Sequence, residues 1–201
     1  MSEWWSYRLS DFLLFSPRTY YRLFELYNLD FWPLHLVFLA LGVALCVVAK
    51  QGRARAAWLM LASCWFWVAW AFHLQRYATI NWAAPMFAMA FAIEGALLVA
   101  AALAAPSRAL SSSSWTRWLG FALLLFSLVV HPLLGVVQGR PWVQAEVFGM
   151  APDPTALGSV GVLLMLAPRL PWSLLLWPIP VLWCLIGAAT RVELTSVAIT
   201  G

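Results

Sequence analysis

Six apolar segments separated by short polar stretches set the pattern of the chain. They cover about residues 31–49, 57–75, 82–105, 118–137, 154–167 and 172–190. At a rise of about 1.5 Å per residue, a helix needs about 20 residues to cross the hydrocarbon core of a bilayer. Four or five segments reach that length, whereas the fifth is too short. The pattern predicts an all-α integral membrane protein, in which residues 31–201 form a single domain of about six transmembrane helices.

A different periodicity precedes the first apolar segment. Ser16 followed by Pro17 is typical of a helix N-cap with proline at the first helical position. Residues at helical spacing then form an apolar face, made of Tyr20, Leu23, Phe24 and Tyr27, opposite Arg18, Arg22 and Glu25. Residues 1–30 are therefore predicted to hold an amphipathic helix on the membrane surface, acting as an anchor or as a lid over the outer leaflet.

Composition supports a membrane location. The chain is 64% hydrophobic and only 10% charged, with a mean hydropathy of +0.83, whereas soluble domains carry roughly 25% charged residues. The 14 tryptophans are typical of side chains at the headgroup level. The net charge of +4 comes without a basic run or a basic–aromatic patch. The expected partner is thus the lipid bilayer, with no nucleic acid.

Charges outside the apolar segments predict the topology. Basic residues are equally numerous on the two sides, six on each. The densest short-loop cluster is Lys50, Arg53 and Arg55, and the acidic residues outside the segments all fall on the opposite side. Because basic loops stay inside the cell, both termini are predicted to lie on the outer side.

Three histidines, His35, His73 and His131, are predicted to lie in the same outer leaflet. Ionisable groups at membrane depth are rare and tend to mark function. Three interpretations stay open: hydrogen bonds between helices, a path for a polar substrate or proton, and ligation of a metal or haem. His131 precedes Pro132, which cannot donate a hydrogen bond to the carbonyl group four residues earlier.

The segment "AFHLQRYATINWAAP", residues 71–85, separates the second and third apolar segments. Tyr77 follows His73 by four residues, so the two are predicted to share a helix face with Trp70 and Phe66. Asn81 is predicted to cap the next helix. His73 and Tyr77 are therefore candidates for one wall of a site.

Glu94 is a lone carboxylate near the middle of the third segment. Placing a charge there costs at least about 2.5 kcal/mol. Glu94 lies off a ridge of small residues, Ala88, Ala92, Ala96 and Ala100, that is typical of close helix packing. It is predicted to make one interhelical hydrogen bond or to relay a proton or cation.

The longest outer connection, residues 137–155, adds Arg140 and Glu146, which are predicted to pair with each other or with Arg76. Asp153 followed by Pro154 is typical of a helix start. The fifth segment is short, and "WPIP" at 177–180 interrupts the sixth. Short and broken spans occur at transporter binding sites and also as simple kinks.

The sequence carries no recognised catalytic motif, neither GxSxG nor a phosphate-binding or dinucleotide-binding loop. The cysteines, Cys46, Cys64 and Cys184, lie in apolar stretches without ligand spacing. The sequence therefore favours a protein that is not an enzyme and that binds no cofactor.

Three stretches, "LSDFLLFSPRTYYRLFELYN" (9–28), "QRYATINWAA" (75–84) and "FGMAPDPTALGSVGVLL" (148–164), carry a resemblance. They resemble the bacterial domain-of-unknown-function family 6064, small multi-span membrane proteins that are sometimes labelled permeases. The resemblance implies a location in the bacterial inner membrane and supplies no established activity, ligand or catalytic residue.

The favoured hypothesis is permease-like handling of a small polar solute, ion or proton in the outer half of the bundle. Its candidate residues are His73, Tyr77, Asn81, Glu94, His131, Arg140 and Glu146. One alternative is a membrane redox protein that binds haem, quinone or a metal through His35, His73 and His131. Another is a structural or assembly subunit that contacts a second copy or a complex partner.

Overall fold

The computed structural model describes residues 15–104, 113–166 and 173–200, with side chains up to residue 196. All regular elements of this part of the chain are helical, which confirms the all-α prediction. The α-helices are α1 Pro17–Asp30, α2 Leu34–Lys50, α3 Ala54–Trp67, α4 Ala84–Ala104, α5 Ser114–Leu125, α6 His131–Val137, α7 Pro152–Leu166 and α8 Pro178–Thr200.

Helices occupy all six predicted positions, but they differ in length. Four continuous helical stretches are long and apolar enough to cross a membrane: Ala54–Thr79, Ala84–Ala104, Ser114–Val137 and Ser173–Ser196. α2 follows α1 after a bend of 92°, and the pair would count as a fifth span. α7 has only 15 residues, most of them buried. The apolar helices are thus compatible with membrane insertion. α7 is too short to span a membrane by itself, and most of its residues are buried against the rest of the protein.

α1 lies across one end of the bundle, called here the α1 end. Its predicted apolar face is buried, with Phe24 and Tyr27 fully inaccessible. The Tyr27 hydroxyl donates to the Met150 carbonyl at 3.1 Å and accepts from Trp67 Nε1 at 2.8 Å. α1 is nearly perpendicular to α2 and packs against the loop before α7 through Tyr27 and Asn28. The Ser16 hydroxyl accepts from the Thr19 N–H and caps the helix.

Two spans change their helical winding as they approach the α1 end. α3 continues into a π-helix at Val68–Leu74, and α5 is joined to α6 by a π-helix at Phe126–Val130. The second π-helix directly precedes His131 and Pro132, where proline removes a backbone donor. A π-turn bonds residue i to i+5 and so shifts which side chains share a face.

The π-helix in the second span overturns one expectation. Phe66 and Trp70 are 43% and 50% exposed, whereas His73 is 0% exposed. The prediction that these aromatic residues share a face with His73 and Tyr77 is therefore wrong, because it assumed α-helical spacing throughout. His73 and Tyr77 do lie together, with ring centroids 6.0 Å apart.

The last span also differs from its prediction. A 3₁₀-helix at Ser173–Leu176 precedes α8, so the prolines of "WPIP" begin the helix and do not interrupt it. Proline is tolerated in a first helical turn because its missing donor would have no partner there. α8 then runs past residue 190, which places Arg191 inside the span and not in a following loop.

Candidate functional site

One face of α8 forms a cradle for a carboxylate. Trp183, Gly187 and Arg191 follow one another at intervals of four residues, so they lie on the same side of the helix. Trp183 Nε1 donates to Asp153 Oδ1 at 2.9 Å. Arg191 donates to Asp153 Oδ2 from Nε at 3.2 Å and from Nη2 at 2.9 Å. Both carboxylate oxygens are therefore satisfied by α8.

Gly187 makes this approach possible. A Cβ atom at this position would lie 2.6 Å from Asp153 Oδ2 and 2.7 Å from Oδ1. Any other residue would push the carboxylate away from the helix. The start of α7 and the surface of α8 are thus in contact at the position that holds Asp153.

Arg191 also contacts two further elements, α6 and the loop between α6 and α7. Its Nη2 donates to Glu146 Oε2 at 2.8 Å and lies 2.6 Å from His131 Nε2. A guanidinium has donors only, so His131 Nε2 accepts and the ring proton is on Nδ1. Arg140 Nη1 lies 3.8 Å from Glu146 Oε1. His131, Arg140, Glu146, Asp153 and Arg191 are called here the Arg191 cluster.

Most of the cluster is held away from water, and Arg191 is its most exposed member at 31%. The Glu146 side chain is 5% exposed, and those of Asp153 and Arg140 are 12% and 14% exposed. Burial raises the pKa of Glu146 to about 7, although Arg191 and Arg140 oppose the shift. This loop carboxyl can therefore gain or lose a proton near neutral pH.

The residue types of the cluster also suggest a metal site. One ligand atom each from His131, Glu146 and Asp153 lie within 4.8 Å of one another, and zinc accepts histidine and carboxylate ligands. However, Arg191 Nη2 contacts all three side chains. The guanidinium therefore already supplies the positive charge that a metal would bring.

The predicted three-histidine set is not formed. His35 Nε2 is 3.0 Å from Asn28 Oδ1, and the amide of Asn28 donates to loop carbonyls under α1. Among the described residues, the one group of three metal-ligating side chains contains His131 but neither His35 nor His73. The hypothesis of a metal bound jointly by these three histidines therefore has no geometric support.

A cavity of about 260 Å³ adjoins the cluster at Asp153. It lies between α1, the end of the second span, the start of α4 and α8. Six aromatic side chains contribute to its wall: Phe15, Tyr20, Phe72, Tyr77, Phe87 and Trp183. Its polar residues include Asp153, Glu193 and Asn81. Asn81 Oδ1 accepts from the Ala83 N–H at 2.9 Å. Because α4 begins at Ala84, Asn81 forms a turn just before the helix and does not cap it as predicted.

His73 lies directly behind this wall. Its ring centroid is 5.0 Å from that of Trp183 and 4.5 Å from that of Phe91. The side chain is fully buried, and neither ring nitrogen has a hydrogen-bond partner in the described part of the chain. Buried polar atoms without partners are uncommon and mark positions that need an explanation beyond packing.

The comparisons with known proteins identify a family. Residues 18–196 match a family described as "Family of unknown function (DUF6064)". The chain belongs to this family. The match covers the whole Arg191 cluster and all the cavity-lining residues except Phe15. No curated protein and no solved structure matches the chain.

Glu94 of the DUF6064 protein stands apart from the cluster. It is fully buried on α4, and neither carboxylate oxygen has a hydrogen-bond partner among the described residues. The predicted interhelical hydrogen bond is therefore not found there. The predicted alanine ridge is also not the packing face, because Ala96 and Ala100 are exposed, whereas Glu94 and Gly95 are buried.

Replacing Glu94 by methionine is expected to stabilise the protein. A buried polar group without a partner costs about 1–3 kcal/mol, and methionine fills a similar volume without that cost. The melting temperature of the purified protein in detergent should rise. A lower melting temperature would show that Glu94 has a stabilising partner. Glu94→Gln is the control that keeps the shape and a polar group while removing the charge.

Two members of the site of this DUF6064 protein were not among the predicted site residues. Asp153 was expected to start a helix, and Arg191 lies just beyond the predicted sixth segment, which ends at residue 190, yet both are central to the cluster. The spacing of Trp183, Gly187 and Arg191 is the sequence signal that could have found them. Arg76, a predicted alternative partner for Glu146, instead pairs with Asp30 of α1.

Proposed function

We propose that this DUF6064 protein is a permease-like membrane protein that binds and moves a small polar solute, ion or proton at the α1 end. The observation that carries the proposal is that the cavity and the Arg191 cluster share Asp153. A solute that contacts this carboxylate changes the electrostatic balance of the whole cluster.

The cluster couples the cavity to the helices that would have to move. Its side chains come from the start of α6, the following loop, the start of α7 and α8. A solute that alters the bond between Asp153 and Arg191 thereby alters contacts among all of these elements. The equilibrium between two helix arrangements shifts only through such differential contacts.

Protonation of Glu146 is a second way to change the contacts within the Arg191 cluster. Glu146, whose pKa is raised by burial to about 7, carries no charge after protonation. Arg191 then retains Asp153 as its one acidic partner in the cluster. Proton uptake therefore weakens the link between the loop and α8, which supports a coupling of solute movement to protons.

The backbone at the α1 end supports local rearrangement. The π-helices at Val68–Leu74 and Phe126–Val130 lie next to the cavity wall and the cluster. π-turns inside helices recur at functional sites. α1 covers the cavity from outside the bundle, and Tyr20 contributes to the wall. We therefore assign α1 the role of a lid, and the π-helices that of adjustable segments.

The proposal also includes the orientation of the helix bundle in the membrane. Lys50, Arg53 and Arg55 lie at the end of the bundle opposite α1. By the positive-inside rule that end faces the cytoplasm, so the α1 end and the cavity face the outer side of a bacterial inner membrane.

Flux into proteoliposomes that contain the full-length protein tests the proposal. The solutes are small amines, amino acids, sugars and carboxylates, and a trapped pH dye reports protons. We expect at least one flux above that of protein-free vesicles. Asp153→Asn should reduce that flux at least about tenfold by removing the charge that links cavity and cluster.

Asp30→Asn is the matched control, because Asp30 is an acidic residue at the same end that pairs with partly exposed Arg76. This variant should leave the flux unchanged. Wild-type protein that moves none of the solutes, nor protons, would overturn the proposal. Equal flux through the wild type and Asp153→Asn would remove the cluster from the mechanism.

A further inference from the structure

We propose that the cavity at the α1 end selects a small organic cation that carries an ammonium group. This inference rests on the proposed function and names the class of solute for the same site. It follows from the aromatic wall, the sign of the charges and the size of the cavity.

The wall is made largely of aromatic rings. Tyr77 is 6.3 Å from Tyr20 and 6.3 Å from Phe87 between ring centroids, and Phe87 is 5.2 Å from Trp183. An aromatic ring is negative on its face, and several rings around one space attract an organic cation. Apolar side chains of the same size would offer volume without this attraction.

The charged residues of the wall have one sign. Asp153 and Glu193 line the cavity, and none of the described lining residues is a lysine or arginine. When Glu146 is ionised, Arg140 and Arg191 balance Glu146 and Asp153 within the cluster. Glu193 is then left as an excess negative charge. An anion would be repelled here, whereas a monocation would make the site neutral.

The cavity is small and only partly polar. Its volume of about 260 Å³ lies just below the roughly 300–1,000 Å³ typical of pockets for drug-sized ligands. Asn81 and Tyr77, at and just beyond the end of the second span, add polar groups to the wall. This space suits an amine with a few carbon atoms and one further polar group.

Binding to the purified full-length protein in detergent tests the inference, with calorimetry as the readout. The probes are choline, methylammonium and 3,3-dimethylbutan-1-ol, a neutral molecule with the shape of choline. We expect choline or methylammonium to bind. The neutral alcohol should bind at least about tenfold more weakly than choline, because it lacks the charge that the rings and carboxylates attract.

Variants of the wall separate charge from shape. Phe87→Leu and Glu193→Gln should each weaken binding of the cation about tenfold. Phe66→Leu is the matched control, since Phe66 is an aromatic residue of α3 that is 43% exposed and does not line the cavity. It should bind the cation as the wild type does. Melting temperatures without ligand verify that each variant is folded.

The outcomes distinguish this inference from the proposed function. Failure of both ammonium probes to bind, or equal binding of choline and the neutral alcohol, would overturn the cation selectivity. Flux of a neutral or anionic solute that depends on Asp153 would in that case leave the proposed function standing. The absence of any flux in proteoliposomes would instead reject the proposed function itself.

Discussion

Replacing Arg191 by methionine is expected to destabilise the protein by about 3–5 kcal/mol, because removing one partner of a buried ion pair leaves the other charge without compensation. Arg191 is the cation nearest to both Asp153 and Glu146, and it also donates to His131. Thermal or denaturant unfolding of the purified protein in detergent measures the loss. We also expect flux to be lost, because Asp153 is then no longer linked to Glu146 and His131.

Two controls test whether the loss of stability comes from breaking a buried ion pair. Arg22→Met removes an arginine that pairs with Glu25 on the exposed side of α1, and a surface pair of this kind is worth about 0–1 kcal/mol. Adding Asp153→Asn to Arg191→Met should recover part of the lost stability, because Asp153 is the carboxylate left without a cation, whereas Glu146 keeps Arg140. An Arg191→Met protein as stable as Arg22→Met would contradict the buried cluster.

Arg191→Lys tests whether the shape of the guanidinium group matters when the positive charge is kept. Lysine keeps the positive charge but lacks the planar fork that lets one guanidinium contact several acceptors. Arg191 contacts Asp153 through two nitrogens and reaches Glu146 and His131 with one of them. We therefore expect a stability between those of the wild type and Arg191→Met.

Features set by local sequence could be predicted. The apolar segments gave the positions of the helices, and the spacing of Tyr20, Leu23, Phe24 and Tyr27 gave the buried face of α1. Caps are equally local, as Ser16 illustrates. Each of these depends on residues within about two helical turns, so no knowledge of the fold is required.

The changes from α-helix to π-helix could not be predicted in the same way. A π-turn is compatible with the same apolar sequence as an α-turn, so hydrophobic spacing does not distinguish them. In the second span this shift separates Trp70 from His73. Pro132 indicated a disturbance near His131, but not that the disturbance would be a π-helix.

The candidate site was predicted only in part, because some of its contacts join residues that are distant in the sequence. His131, Arg140 and Glu146 stood out because ionisable groups near apolar segments are unusual. Asp153 and Arg191 each had an ordinary local explanation, as a helix start and as a loop charge. Their contact joins residues 38 positions apart, so it appears only when α7 packs on α8. Charge compensation in the fold then allows α8 to continue through Arg191.

The Gly187→Ala variant is expected to lose up to about 2 kcal/mol of stability, together with cation binding, because the overpacking cost is only partly offset by the better helix propensity of alanine. In an ordinary helix position, alanine is more favourable than glycine by about 1 kcal/mol. Here the new methyl group would lie 2.6 Å from Asp153 Oδ2. The carboxylate cannot move aside without breaking its bonds to Trp183 and Arg191. Overpacking of this kind typically costs 1–3 kcal/mol.

Gly95→Ala is the matched control for this effect. A Cβ atom at Gly95 would lie 2.9 Å from the ring of Phe66, but that ring is 43% exposed and free to rotate outward. The stability of Gly95→Ala should stay within about 0.5 kcal/mol of the wild type, and its cation binding should not change. If both glycine variants behave alike, Asp153 is not held against α8, and the link between the cavity and the Arg191 cluster fails with it.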